Sequence, residues 1–98
     1  MLTIKSSKRK RATVIFELRA IDSDHPVSVV GDFNSWDPLA DPLERRKDGS
    51  QRVKVKIPVG STYHFKYLAA DGSWFCDPDV DDREPNEFGE VNSVLRLT

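Results

Sequence analysis

Val29-Val30-Gly31-Asp32-Phe33-Asn34-Ser35-Trp36-Asp37-Pro38 is the stretch from which the rest of this chain can be read. A β-branched run, suited to a pleated and half-buried surface, stops at Gly31. Glycine accepts a left-handed backbone and Asn and Asp close turns through their own side chains, so a turn is expected with Gly31 as its positive-φ residue. That turn delivers one large aromatic, Trp36, to a strand end at or near solvent before Pro38 redirects the chain.

Working outward, residues 13–19 alternate, with Val14, Phe16 and Leu18 on one side and Thr13, Glu17 and Arg19 on the other. A period of two marks a half-buried strand. Residues 22–26 read as a loop and 27–30 as the strand that enters the Trp36 turn. Asp37-Pro38 and Asp41-Pro42 then break regular structure, 43–47 reads as a short polar edge strand, and Asp48-Gly49 is a hairpin signal. Val53, Val55 and Ile57 alternate with Lys54 and Lys56 in the next strand. In 62–70, Tyr63, Phe65, Tyr67 and Ala69 share one face and His64, Lys66 and Leu68 the other, so Lys66 must project outward if the aromatics are buried. Asp71-Gly72 turns the chain back into 73–75. Residues 77–90, acidic and interrupted by Pro78 and Pro85, read as loop. The last strand, 92–97, carries Val94 inward, with Leu95 and Leu97 as further candidates. Short strands, frequent turn residues and no helical period predict an all-β, single-domain, immunoglobulin-like antiparallel β-sandwich.

Composition narrows the function classes. Ninety-eight residues suffice for one domain. A single cysteine, Cys76, permits no intrachain disulfide and favours a reducing compartment. The first eleven residues hold no apolar core of a secretory leader, and no run approaches the ~18 apolar residues of a membrane span. A cytoplasmic protein with no membrane partner is expected. The net charge of −1 hides an asymmetry: Lys5, Lys8, Arg9, Lys10 and Arg11 lie at the front, whereas 77–90 holds seven acids against Arg83. Residues 1–12 read as a basic flexible tail and 13–98 as the sandwich. No base-stacking motif follows the tail, and the acidic segment repels phosphate, so nucleic acid is not an expected partner. Asp77, Asp79 and Asp81 have the first spacings of a calcium loop, but its sixth position is Asp82 rather than Gly and its twelfth is Phe88 rather than Glu, so no metal is expected. The histidines, His25 and His64, and Cys76 supply no combination of nucleophile, base and oxyanion donor, which argues against an enzyme and leaves no cofactor implied.

Five motifs then occur in order: Gly31-Asp32-Phe33-Asn34-Ser35-Trp36, Tyr63-His64-Phe65-Lys66-Tyr67, Asp71-Gly72-Ser73-Trp74, Asp77-Pro78 and Gly89-Glu90-Val91-Asn92-Ser93. Together they resemble the glycogen-binding carbohydrate-binding module. This is the early-set, immunoglobulin-like domain of the AMP-activated protein kinase β subunit, found also ahead of the catalytic barrel of isoamylases and branching enzymes. The resemblance implies an early-set sandwich that binds α-glucan without catalysis. It implies Trp36 and Trp74 as the two sugar-stacking tryptophans, Lys66 as the lysine between them, Phe88 in place of a leucine wedge, and Asn92 as the site asparagine. Two departures stand out: the hairpin bearing Trp74 is one residue longer, and Glu90 replaces a neutral hydroxyl. Chemically the set suits a neutral glucan, whose C–H faces stack on flat aromatics while its hydroxyl rim pairs with amides and ammonium groups. The alternative is a protein-interaction or regulatory module of the same fold, with a protein partner and with the indoles buried or facing apart.

Overall fold

The computed structural model describes residues 1–5 and 10–97. Nine strands among them form two antiparallel sheets: β1 (Leu2–Lys5), β2 (Arg11–Leu18), β3 (Val27–Gly31), β4 (Glu44–Arg45), β5 (Gln51–Pro58), β6 (Thr62–Ala69), β7 (Trp74–Phe75), β8 (Arg83–Pro85) and β9 (Val91–Arg96). One sheet runs β1-β2-β5-β4; the other runs β3-β6-β9-β8, with β7 added beside β6. Two short 3-10 turns, Ala20–Asp22 and Asp32–Asn34, are the only helical elements among the described residues. This is the expected all-β sandwich.

The alternation read from the sequence is what packs the two layers. Val14, Phe16 and Leu18 from β2 meet Val27 and Val29 from β3, Ile57 from β5 and Phe65, Tyr67 and Ala69 from β6 in one buried cluster. Phe16 lies edge-on to Phe65 with centroids 5.2 Å apart, and Phe65 is edge-on to Tyr67 at 5.9 Å. Such T-shaped pairs add about 0.5–1.5 kcal/mol beyond area burial. The open edge of β3 is covered by the segment after the Trp36 turn, where the Leu43 N–H donates to the Val27 carbonyl at 2.8 Å. That contact shields backbone groups which would otherwise invite pairing with another chain.

Five expectations need correction. The front of the supposed tail is a strand: Leu2–Lys5 pairs antiparallel with β2, Leu2 opposite Phe16 and Lys5 opposite Thr13. β2 itself begins at Arg11 rather than Thr13, and residues 6–9 of the supposed tail lie outside the described residues. Segment 77–90 is not loop throughout, because Arg83–Pro85 pairs with β9, Glu84 opposite Asn92. On β9 it is Leu95 that joins the core cluster, with Leu97 packed against it; Val94 is buried outside that cluster. Gly31 is extended (φ −168°, ψ −173°), and the left-handed residues of the turn are Ser35 and Trp36, both at φ 58°.

Gly31 is needed for space instead. A Cβ there would sit 2.5 Å from the His64 carbonyl oxygen and 2.8 Å from the Phe65 Cβ. Only a residue without a side chain lets β3 and β6 approach this closely at the point where the turn begins.

Candidate functional site

The Trp36 turn is held by side chains that the local sequence supplies. Asn34 accepts from the Gly31 N–H at 3.0 Å through Oδ1, while its Nδ2 donates to the Val29 carbonyl at 3.0 Å and to Asp41 at 2.9 Å. The Trp36 N–H closes back on the Gly31 carbonyl at 2.9 Å. These bonds over-determine a conformation that a bulky residue rarely adopts: a left-handed non-glycine residue costs about 1–3 kcal/mol and persists where its surroundings enforce it. The half-buried indole is then aimed by Asp32, whose Oδ1 accepts from Trp36 Nε1 at 3.0 Å.

β6 supplies the floor. Its inward face sinks Phe65 and Tyr67 into the core, so His64 and Lys66 stand on the other side of the sheet. The Lys66 side chain is only 13% exposed, and its Nζ lies 3.5 Å from Glu90 Oε2. The 70–73 turn and β7 then present Trp74, which remains 48% exposed. Across the floor, the connection from β8 to β9 is a tight turn tied by Asn86, whose Oδ1 accepts from the Phe88 N–H at 2.9 Å and the Glu90 N–H at 3.0 Å. That turn leaves Phe88 80% exposed at its tip. Asn92, at the start of β9, is buried against the same floor.

Trp36, Lys66, Trp74, Phe88 and Asn92 therefore come together as the lining of one open cleft of about 620 Å³. Three aromatic side chains on its walls and an ammonium and an amide at its base give apolar faces with hydrogen-bonding groups between them. The longer hairpin does not remove Trp74 from the cleft, and Glu90 contributes an ion-pair partner for Lys66.

Sequence reasoning missed the polar frame beneath these residues. Asp32, His64, Asn86 and Glu87 also line the cleft. Asp32 Oδ2 accepts from the His64 backbone N–H at 2.7 Å and lies 3.0 Å from His64 Nδ1, while His64 Nε2 lies 2.7 Å from Glu84 Oε1. The hydrogen bond with Glu84 raises the His64 pKa above its ordinary value; partial burial opposes the rise and Asp32 adds to it. Burial pushes the Asp32 carboxyl up, but the bonds from the His64 backbone, the His64 ring and the Trp36 indole outweigh it and hold the carboxyl below the usual range. The i, i+4 spacing of Asp32 and Trp36 was a legible signal; the bond from Asp32 to His64 spans two strands and was not.

Asp77, the first residue of the calcium-like spacing, is fully buried and serves the fold. It accepts from the Tyr67 hydroxyl at 2.7 Å, the Asp79 N–H at 2.9 Å and the Met1 amino group at 2.6 Å, while its own N–H donates to Ser93 Oγ at 3.0 Å. Burial and the neighbouring carboxylate push the Tyr67 phenol well above its ordinary pKa, so it stays a donor. A two-bond ion pair also ties the acidic segment to β9: Arg96 donates to Asp82 from Nε at 2.6 Å and from Nη2 at 3.2 Å.

The family described as the glycogen recognition site of AMP-activated protein kinase matches residues 8–98 of this chain. A 1,4-alpha-glucan branching enzyme of Aquifex aeolicus is 37% identical over 82 residues, covering 81% of this chain and 12% of that enzyme. Branching enzymes of Pseudomonas putida, 47% identical over 49 residues, and Xanthomonas campestris, 38% over 47 residues, each match 47% of this chain and 6% of their own length. The chain thus spans only a small part of the curated relatives it matches.

Proposed function

Because this chain belongs to the family of the glycogen recognition site of AMP-activated protein kinase, we propose that it is a non-catalytic module binding α-1,4-glucan, as glycogen or maltooligosaccharide. In this reading Trp36 and Trp74 stack on the C–H faces of glucose rings, Phe88 wedges into the curve of the chain, and Lys66 and Asn92 pair with the hydroxyl rim. The observation that carries it is the convergence of both indoles, Lys66, Phe88 and Asn92 on one open cleft. The relatives named as 1,4-alpha-glucan branching enzymes support the same ligand class.

Flat aromatics provide contact area with few torsions to freeze, and rim hydrogen bonds orient the sugar. The acidic residues around the cleft, Asp32, Glu87 and Glu90, suit a neutral polymer better than an anionic one. An open cleft of this kind binds one short chain weakly and gains strength on a polymer presenting many ends.

Native affinity electrophoresis with glycogen in the gel tests the reading directly. Retardation by glycogen, and heat on titration with maltoheptaose, are expected. Unchanged mobility together with no maltoheptaose-induced amide shifts would refute it.

A further inference from the structure

We infer that His64 is a positioning residue which clasps the two walls of the cleft together, so that glucan binding tightens when its ring carries both protons. The inference rests on the glucan reading for its ligand, but the clasp itself is a property of the sugar-free protein. One wall is the Trp36 turn, reached through Asp32; the other is the β8–β9 hairpin that carries Phe88, reached through Glu84. His64 sits between them on β6 with a carboxylate at each ring nitrogen, 3.0 Å from Asp32 and 2.7 Å from Glu84.

An ionised carboxylate only accepts hydrogen bonds, so both contacts are made only when both ring nitrogens carry a proton. Loss of one proton leaves a lone pair facing a carboxylate. The shorter contact, to Glu84, retains its hydrogen, and the bare nitrogen then repels the Asp32 oxygen. Asp32 is the group that aims the Trp36 indole, so the disturbance reaches the stacking surface directly. The other charges around His64 follow from the elements packed on it. From β6 itself comes Lys66, held by Glu90; from β9 comes Arg96, 3.8 Å from Glu84 and bonded to Asp82; and Asp82 precedes β8. Arg96 and Lys66 disfavour a further positive charge at His64, whereas Asp32, Glu84 and Asp82 favour it, and the carboxylates are the nearer groups.

Linkage makes the effect reciprocal: a sugar that needs the clasped cleft raises the proton affinity of His64. The test follows the Trp36 indole N–H and the His64 ring by NMR in the free protein as pH rises from about 6 to about 9. Both should move with one midpoint above the ordinary histidine value while the Trp74 indole does not. Across that midpoint the maltoheptaose Kd should weaken about fivefold. In His64→Gln the indole midpoint should vanish, and the variant's own Kd should vary by less than about twofold over the same pH range. If that variant does not fold, Glu84→Gln must lower the His64 and Trp36 midpoints together. A Trp36 resonance that ignores His64, or a wild-type Kd that is flat with pH, overturns the clasp. Absence of maltoheptaose binding at every pH refutes the glucan reading instead, and the indole titration still decides the clasp.

Discussion

At Trp36 the chain holds a bulky residue in a left-handed conformation and ties its indole to a carboxylate four residues earlier. A surface tryptophan that merely filled space would need neither device, since an exposed side chain is free to choose its rotamer. Replacing Trp36 or Trp74 with alanine should weaken maltoheptaose binding by at least ~1 kcal/mol, a modest share of a stacked aromatic contact. Isothermal titration reads this, with far-UV circular dichroism confirming that the sandwich persists. Gly31 and Asp77 are constrained for folding instead. Gly31→Ala places a methyl group within 2.5 Å of the His64 carbonyl oxygen and should destabilise the domain by about 1–3 kcal/mol in urea denaturation. Asp77→Ala leaves the buried Tyr67 hydroxyl without its acceptor at 2.7 Å, and a loss of about 2–3 kcal/mol is expected from the same measurement.

Among the elements, β6 does most to create the site, because its period of two assigns Phe65 and Tyr67 to the core and Lys66 to the cleft floor in a single run. That assignment was readable from alternation alone. β1 and β8 were not readable in the same way. β1 has four residues beside a basic run, and β8 is Arg83-Glu84-Pro85, with no apolar alternation to signal a strand. Both exist because a neighbouring strand offers hydrogen bonds, β2 in one case and β9 in the other. The β8–β9 turn has its own consequence. Phe88 at its tip is 80% exposed, so Phe88→Ala should change stability by no more than about 0.5 kcal/mol while reducing affinity for maltoheptaose. Equal affinity in the variant would remove Phe88 from the proposed site.

For the molecule as a whole, the Asp32–His64–Glu84 chain couples stability to pH at both ends. The folded His64 binds its proton more tightly than the unfolded chain does, so its contribution is complete below the ordinary histidine value and is lost as pH rises through the raised one. The folded Asp32 carboxyl is depressed, so its contribution is present above the ordinary carboxylate range and is lost as pH falls through the depressed value. Melting temperature should therefore form a plateau between these limits. His64→Gln should remove the alkaline shoulder attributable to the histidine and shrink the acid limb without abolishing it, because the residue-64 backbone N–H and the Trp36 indole still hold the Asp32 carboxyl, as read by thermal denaturation across pH. If the cleft binds glucan as proposed, one glycogen particle offers it many equivalent chain ends, and apparent affinity per glycogen particle should exceed that for maltoheptaose.

What the amino-acid order determined by itself was the part governed by local rules. Period-two alternation specified the strands of the core, and Pro, Asp and Gly placed the breaks. Five short motifs, from Gly31-Asp32-Phe33-Asn34-Ser35-Trp36 to Gly89-Glu90-Val91-Asn92-Ser93, carried the resemblance to a glucan-binding module, and that resemblance singled out Trp36, Lys66, Trp74, Phe88 and Asn92. What only the tertiary structure decided was everything requiring two distant segments to meet. Asp32 and His64 are 32 residues apart, and His64 and Glu84 are 20 apart; their contacts depend on β3, β6 and β8 lying in one sheet. The role of Gly31 likewise came from the nearness of β6, although the residue itself suggested a turn. Propensity and periodicity act over a few residues, whereas a carboxylate beside an imidazole, or a missing methyl beneath a carbonyl, acquires its meaning only when folding has brought the partner within about 3 Å.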